Sequence, residues 1–290
     1  MPGGRVPQIA LSLMPQPAFA AATLPLFADG LVDAVEWSFD MGWGSLGVPD
    51  WLDGLLDDYA DAGALDGHGV SFSLLSSHPR QQHWLMRLQE ELGRRPYRRV
   101  SEHLGFMAGG EVRRSSPLPM PRHPEVVRFA AEQADRLAEV VGAPVGLENL
   151  ATSLCVSDAT EQGALLDDIV STTDGWVLLD LHNLWCQAIN LHLDVMQLLA
   201  GYPLDRVREI HVSGGSWAPR SADGRRLRRD THDGPLPSEV GALLPLVLHR
   251  CPNVQTVVVE RIGRAFGDPQ DDERFRADFR AVRAISGGST

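Results

Sequence analysis

The sequence contains no lysine: all 26 basic side chains are arginine. Schiff-base catalysis and a P-loop lysine are therefore excluded. Basic residues are also outnumbered, 26 against 38 acidic, and the net charge of −12 gives no positive footprint for nucleic acid. Cysteine is scarce, with only Cys155, Cys186 and Cys251, far apart and odd in number. These build neither a disulfide framework nor a sulfur-based zinc site, and they point to a reducing cytoplasm. No apolar run approaches the roughly 18 residues of a membrane span. The first twenty residues, "MPGGRVPQIALSLMPQPAFA", carry one Arg and are interrupted by Pro15 and Pro17. They read as a strand and turn rather than a secretory signal. Repeats of solenoid length and low-complexity linkers are missing too.

What is present is alternation. Short apolar or β-branched runs occur at 7–14, 32–39, 67–75, 97–106, 143–150, 175–185, 207–215 and 254–263. Helix-like stretches fall between them, near 17–30, 49–61, 81–93, 123–142, 158–170, 192–200, 237–250 and 270–285. The clearest, 123–142, has Pro124 near its start, acids in its first turn and Gly142 at its close. Strand–helix alternation means parallel strands with crossover helices. Eight units in 290 residues predict an α/β fold, a TIM-type (β/α)8 barrel forming a single domain over 1–290.

Polar residues recur near the ends of the predicted strands: Glu36, His68, His103, Glu148, Asp180, His211 and Glu260 in strands two to eight. The segment after strand seven adds Asp230 and His232, two apart and so on one face of an extended chain. A lone histidine on a strand is ordinarily a satisfied core residue. One carboxylate or imidazole per consecutive strand is different, because the strand ends of a barrel converge on one mouth. Unpaired there they would be costly, and cations would satisfy them together. The ligands are nitrogen and oxygen only, which suits iron, manganese or zinc and argues against Cu(I) and iron–sulfur clusters. Two or three ions fit better than one. Glu36 and Asp40 rank below the proposed ligands, as residues lining the mouth.

The ordered motifs "HG" (68–69), "SEHLGF" (101–106), "LEN" (147–149), "LLDLHN" (178–183), "EIHVSGG" (209–215), "DTHDGP" (230–235) and "VVVER" (257–261) resemble those of the multinuclear non-heme iron-dependent oxidases, the family that includes the methanobactin-biosynthesis oxidase. The resemblance runs over residues 5–265. It implies a TIM barrel holding two or three irons, mixed Fe(II) and Fe(III), with dioxygen as co-substrate. His68, His103 and Glu148 would hold one iron. Glu148, Asp180, His211 and Glu260 would hold the second and carry the catalysis. Asp230, His232 and Asn183 would form the third position. Asn stands at 183 where three-iron members have His, and His182 has two readings, a packing residue or a substitute ligand.

The resemblance also implies a substrate: a cysteine, or else an Asp or Asn, in a ribosomally made precursor peptide. A separate small leader-binding protein or the barrel loops would capture that peptide. The stretch "PRSADGRRLRRD" (219–230) offers Arg225, Arg226, Arg228 and Arg229 as an electrostatic dock for an acidic peptide, against the blander reading of a solvated loop. Cys186, close behind the site, reads as structural. The alternatives are an endonuclease-IV-like or sugar-isomerase-like barrel with divalent ions, and a non-catalytic binding or metal-storage barrel.

Overall fold

Alternate residues of a strand face opposite sides, so each barrel strand sends one set outward to the helices and one inward to the axis. In the computed structural model, which describes residues 6–44, 47–76, 79–109, 112–221 and 224–287, eight parallel strands close into a barrel. These are β1 (Gln8–Ser12), β2 (Ala34–Trp37), β3 (Leu65–Gly69), β4 (Val100–His103), β7 (Gly146–Glu148), β8 (Trp176–Asp180), β9 (Val207–Val212) and β12 (Thr256–Val259), with β12 pairing back onto β1. After β4 come β5 (Phe106–Gly109) and β6 (Val112–Leu118), an antiparallel hairpin. After β9 come β10 (Ser216–Trp217) and β11 (Arg228–Arg229), a short antiparallel ribbon. The TIM-type barrel expected from the strand–helix alternation is thus the fold observed.

Around the strands lie α1 (Pro17–Ala28), α2 (Asp50–Asp61), α3 (Arg80–Arg94), α4 (Pro124–Val141), α5 (Val156–Thr172), α6 (Leu181–Leu191), α7 (Val195–Ala200), α8 (Ser238–Arg250) and α9 (Pro269–Ile285). Among the described residues no helix is long and apolar enough to cross a membrane. The clearest predicted helix, α4, starts at Pro124 and ends on left-handed Gly142.

Outward residues make the core. Ile9, Leu11, Val35, Val257 and Val259 are buried and pack with Phe19, Phe275 and Phe279 in one continuous apolar cluster. The inner surface is mixed, with polar side chains beside Ala10, Ala34, Trp176, Leu178 and Val258. Ser12 pairs with Glu36, Ala10 with Ala34 and Val258, and His211 with Val258. The register therefore puts Ser12, Glu36 and His211 on one inward face. The barrel floor is ionic: Arg99 Nη2 lies 2.8 Å from Asp66 and 3.6 Å from Glu209. A polar column runs from there to the mouth.

One predicted strand is shorter than expected. The run 175–185 was read as strand throughout, but β8 stops at Asp180 and the chain turns directly into α6. Leu181, Leu184, Trp185 and Ala188 have helical spacing and are all buried. Asp180 is the N-cap: its Oδ1 accepts the backbone N–H of Asn183 at 2.6 Å. Asn183 is therefore in the first turn of a helix.

Candidate metal centre

Register brings the predicted ligands together. His103 pairs with Glu148 across β4 and β7, and Asp180 with His211 across β8 and β9. His68 lies one residue before the end of β3, and Glu260 directly follows β12. Four overlapping groups result, each able to offer ligand atoms within 4.8 Å of one another: His68, His103 and Glu148; Glu148, Asp180 and His211; Glu36, His211 and Glu260; Asp180, His232 and Glu260. Glu148, Asp180, His211 and Glu260 each belong to two groups, so they sit at the hub. Asp230 joins through His232, whose Nε2 is 2.7 Å from Asp230 Oδ1.

Asp230 and His232 reach the mouth because two glycines let their loop lie against the end of β9. A Cβ on Gly214 would strike the backbone of Gly234 and Pro235, and one on Gly215 would strike the Arg229 carbonyl. His232 adopts a left-handed backbone, φ 51°, which suits His better than most residues. Its carbonyl accepts from Ile262 N–H at 2.8 Å, tying the loop to the segment after β12.

Each ligand has its own support. His68 Nδ1 bonds Ser101 Oγ at 2.8 Å, which leaves Nε2 for the centre. Glu148 Oε1 accepts from Asn183 Nδ2 at 3.1 Å. His211 is held between Glu36 Oε2 at 2.9 Å, Glu209 Oε1 at 3.2 Å and Glu260 Oε2 at 3.2 Å. Glu36, ranked low from sequence, is fully buried in this cluster. Glu209 was missed there, although it precedes His211 by two on the same strand and therefore shares its face.

The charges show what a bound cation would relieve. Burial, together with Asp230, Glu148 and Glu260, lifts Asp180 well above the usual carboxylate range. Burial pushes Glu148 up to about 7 and Glu36 up to about 8. Burial, with His103, His211 and His232 nearby, holds His68 well below its ordinary value. His103 rises to about 9: burial opposes its charge, but Glu148 and Glu102 outweigh that. Burial likewise works against the low value of Asp230, and His232 and His182 overcome it.

The donor set fits metal. Glu148 Oε2, Asp180 Oδ2, Asn183 Oδ1 and Glu260 Oε2 are buried acceptors without a hydrogen-bond partner. Glu148 Oε2 lies 3.2 Å from His103 Nε2 and 3.4 Å from His68 Nε2 without accepting an aligned bond from either. Nitrogen and oxygen lone pairs so converged cost several kcal/mol in the absence of a shared cation, by an order-of-magnitude reckoning.

The arginines of the 219–230 stretch divide. Arg225, Arg226 and Arg229 are exposed. Arg226 lies over Trp217, 5.7 Å from its ring centroid, and Arg229 donates to Ser216 Oγ. Arg228 is half-buried, and its Nε donates to His182 Nε2 at 3.3 Å. Ala222 and Asp223 of this stretch lie outside the described residues.

Comparison with known proteins agrees with these motifs. The family described as "RiPP precursor modification enzyme MbnB/TglH/ChrH" matches residues 49–266. A UPF0276 protein of Caulobacter vibrioides is 32% identical over 177 residues, 61% of this chain and 61% of that protein. One from Acaryochloris marina is 26% identical over 222 residues, 72% of this chain and 78% of that protein. The match thus spans about three fifths of the length of the Caulobacter relative. Among solved structures, a xylose isomerase domain containing protein from Salmonella typhimurium superposes with TM-score 0.62 at 13% identity, covering 97% of this chain and 98% of that one. A D-allulose 3-epimerase from Methylomonas sp. gives 0.60 at 15%, covering 98% and 99%. At such identities the likeness is one of fold.

Proposed function

Because the chain belongs to the family of RiPP precursor modification enzymes typified by MbnB, TglH and ChrH, we propose that it is a multinuclear non-heme iron-dependent oxidase that uses dioxygen to modify a residue of a ribosomally synthesised precursor peptide. The residue is most simply a cysteine, with Asp or Asn as the other candidates. The observation that carries this reading is the ring of overlapping His, Asp and Glu groups at one barrel mouth, with unpartnered buried oxygens of Glu36, Glu148, Asp180 and Glu260 among them.

His68, His103 and Glu148 would hold one iron, and Glu148, Asp180, His211 and Glu260 a second. Asp230, His232 and Asn183 would complete a third position, to which the geometry adds Asp180 and Glu260 as neighbours of His232. Bound there in ferrous and ferric states, iron would supply a Lewis acid for the substrate thiolate and the redox capacity to use dioxygen. The chain supplies the rest. Ser101 orients His68, and Asn183 orients Glu148. Glu36 and Glu209 take the Nε2 side of His211. The outer shell of the barrel keeps the hub dry, since Glu148, Asp180 and His211 are buried. Arg225, Arg226 and Arg229 on the exposed ribbon would steer an acidic peptide to the mouth. Arg228, taken from sequence as a fourth docking residue, has its Nε engaged by His182. The barrel acts as a single catalytic domain in a reducing cytoplasm, with the peptide leader captured by a separate small protein or by the loops.

The test uses protein purified and iron-loaded without oxygen, together with the short peptide encoded beside its gene. Mass spectrometry should show a mass change on the peptide only after dioxygen is admitted. Product formed without dioxygen or another oxidant would sink the oxidase reading. Tightly held zinc with hydrolysis, or epimerisation of a sugar, would replace it with the hydrolase or isomerase alternative.

A further inference from the structure

We propose that Arg228 and His182 are positioning residues for Asp230: the Arg228 guanidinium fixes the tautomer of His182, whose Nδ1–H then anchors the Asp230 carboxylate at the third metal position. The inference rests on the proposed reading of Asp230 as a ligand and adds to it two residues outside the ligand set.

The geometry begins with a donor that cannot accept. A guanidinium has N–H groups and no lone pair to offer. Arg228 Nε lies 3.3 Å from His182 Nε2, so that nitrogen must be the acceptor. A ring that accepts at Nε2 carries its hydrogen on Nδ1. His182 Nδ1 lies 3.1 Å from Asp230 Oδ1, and so it is the donor there. Both nitrogens of His182 are then engaged and none is left for an ion. This decides between the two readings open from sequence. His182 is neither a filler of space nor a replacement ligand; it holds one.

Arg228 is itself held in three ways. Asn190, on α6, clamps its backbone: the Arg228 N–H donates to Asn190 Oδ1 at 2.7 Å, and Asn190 Nδ2 donates to the Arg228 carbonyl at 2.9 Å. The guanidinium carbon stands 5.1 Å from the Trp185 ring centroid and 5.8 Å from that of Trp217. Such cation–π contacts hold the plane of the group as well as its place. His182 is wholly buried and sits one α6 turn before Trp185 and Cys186. The anchor therefore rests on a rigid helix, while Asp230 sits on a half-buried loop. An unsupported carboxylate on such a loop would pay side-chain entropy on binding an ion. The support matters most where Asn183 offers an amide oxygen in place of an imidazole.

The first experiment is nitrogen-15 NMR of the zinc-loaded full-length chain with labelled histidine. Long-range proton–nitrogen correlations distinguish the two tautomers directly, and the spectrum of His182→Asn assigns the His182 signals. We expect a hydrogen on Nδ1 and an Nε2 shift that zinc leaves alone. An Nε2–H tautomer, or a zinc-dependent shift of either nitrogen, overturns the proposal. The second experiment is metal titration. His182→Leu and Arg228→Met should weaken the most loosely held ion about 10–100-fold, the usual effect of losing such a partner, and spare the tighter ones. His182→Asn, which keeps an amide donor close to the place of Nδ1, should restore it. Equal weakening of every ion, or none in His182→Leu, overturns the proposal. If the leucine variant does not fold, the tautomer of the native chain decides. A lack of dioxygen-dependent product with these metal results intact would refute the oxidase reading and leave the anchor standing.

Discussion

The backbone N–H of Asn183 donates to Oδ1 of Asp180 at 2.6 Å, while Oδ2 of the same carboxylate is buried without a partner. One oxygen thus caps α6, and the other is the one offered to the proposed metal centre. The two roles are separable by substitution. Asp180→Asn keeps a good N-cap and removes the charge, so metal content should fall while the melting temperature of the metal-free protein holds or rises. Asp180→Ala loses both, with a further cost of about 1 kcal/mol for the missing cap. Metal analysis and thermal melts of the two variants check this; equal metal content in Asp180→Asn and the native chain would remove Asp180 from the centre.

Asn183 also serves Glu148 and Asn149. Its Nδ2 donates to Glu148 Oε1 at 3.1 Å and to the Asn149 carbonyl at 3.0 Å. Asn183→Leu should therefore destabilise the fold by roughly 1–3 kcal/mol, the cost of buried acceptors left without a donor. It should also release the ion nearest Glu148. Denaturant unfolding and metal counting on the same sample test the pair of effects; unchanged stability would contradict the hydrogen bonds described.

Glu36 lies 2.9 Å from His211 Nε2. Glu36→Gln should lower metal affinity about 10–100-fold, since the partner behind a ligating imidazole tunes its basicity. Competition with a chelator measures this directly. An affinity equal to that of the native chain would make Glu36 a bystander.

The pH dependence has a definite sign. Glu148, Glu36 and His103 have folded values of about 7, 8 and 9, all above their ordinary ones. A raised folded value stabilises below the unfolded value and is lost as pH rises through the folded one. His211 and His232 are shifted in the same direction, whereas His68 and His182 are lowered and act oppositely near their ordinary 6.5. The metal-free protein should therefore lose stability on going from pH 6 to pH 9. Metal binding displaces the same protons and strengthens with pH. The gain in melting temperature on adding metal should be larger at pH 8.5 than at pH 6; a smaller gain would mean that the ions do not replace those protons.

Arg225, Arg226 and Arg229 are exposed. Changing all three to Gln should raise the KM for an acidic peptide several-fold and leave kcat and metal content alone, each exposed contact contributing roughly 0.2–1 kcal/mol. The difference should shrink in high salt. An unchanged KM at low salt would make the ribbon an ordinary solvated surface.

The barrel and its polar mouth were legible because alternation has a fixed period: Glu148, Asp180 and Glu260 each fall at a strand end, and parallel topology gathers those ends. The helix α6 was hidden because "VLLDLHNLW" is apolar under either period. Only the cap at Asp180 and the spacing of Leu181, Leu184 and Trp185 mark the change. The sequence groups Arg228 with the docking arginines, because its partner His182 lies 46 residues away and meets it only after the β10–β11 ribbon folds over α6. Glu209 follows from the same alternation, two places before His211 on β9, but it lies inside the strand and not at its end.

The inner column from Arg99 to the mouth carries much of this barrel's buried charge, among Glu36, Asp66, Glu209 and His211. Its apolar mass, with Ile9, Leu11, Val35 and Val259, lies between strands and helices, so the outer wall can close before the inside is electrically complete. Any ion that binds the folded barrel and not the unfolded chain would then add to its stability by mass action.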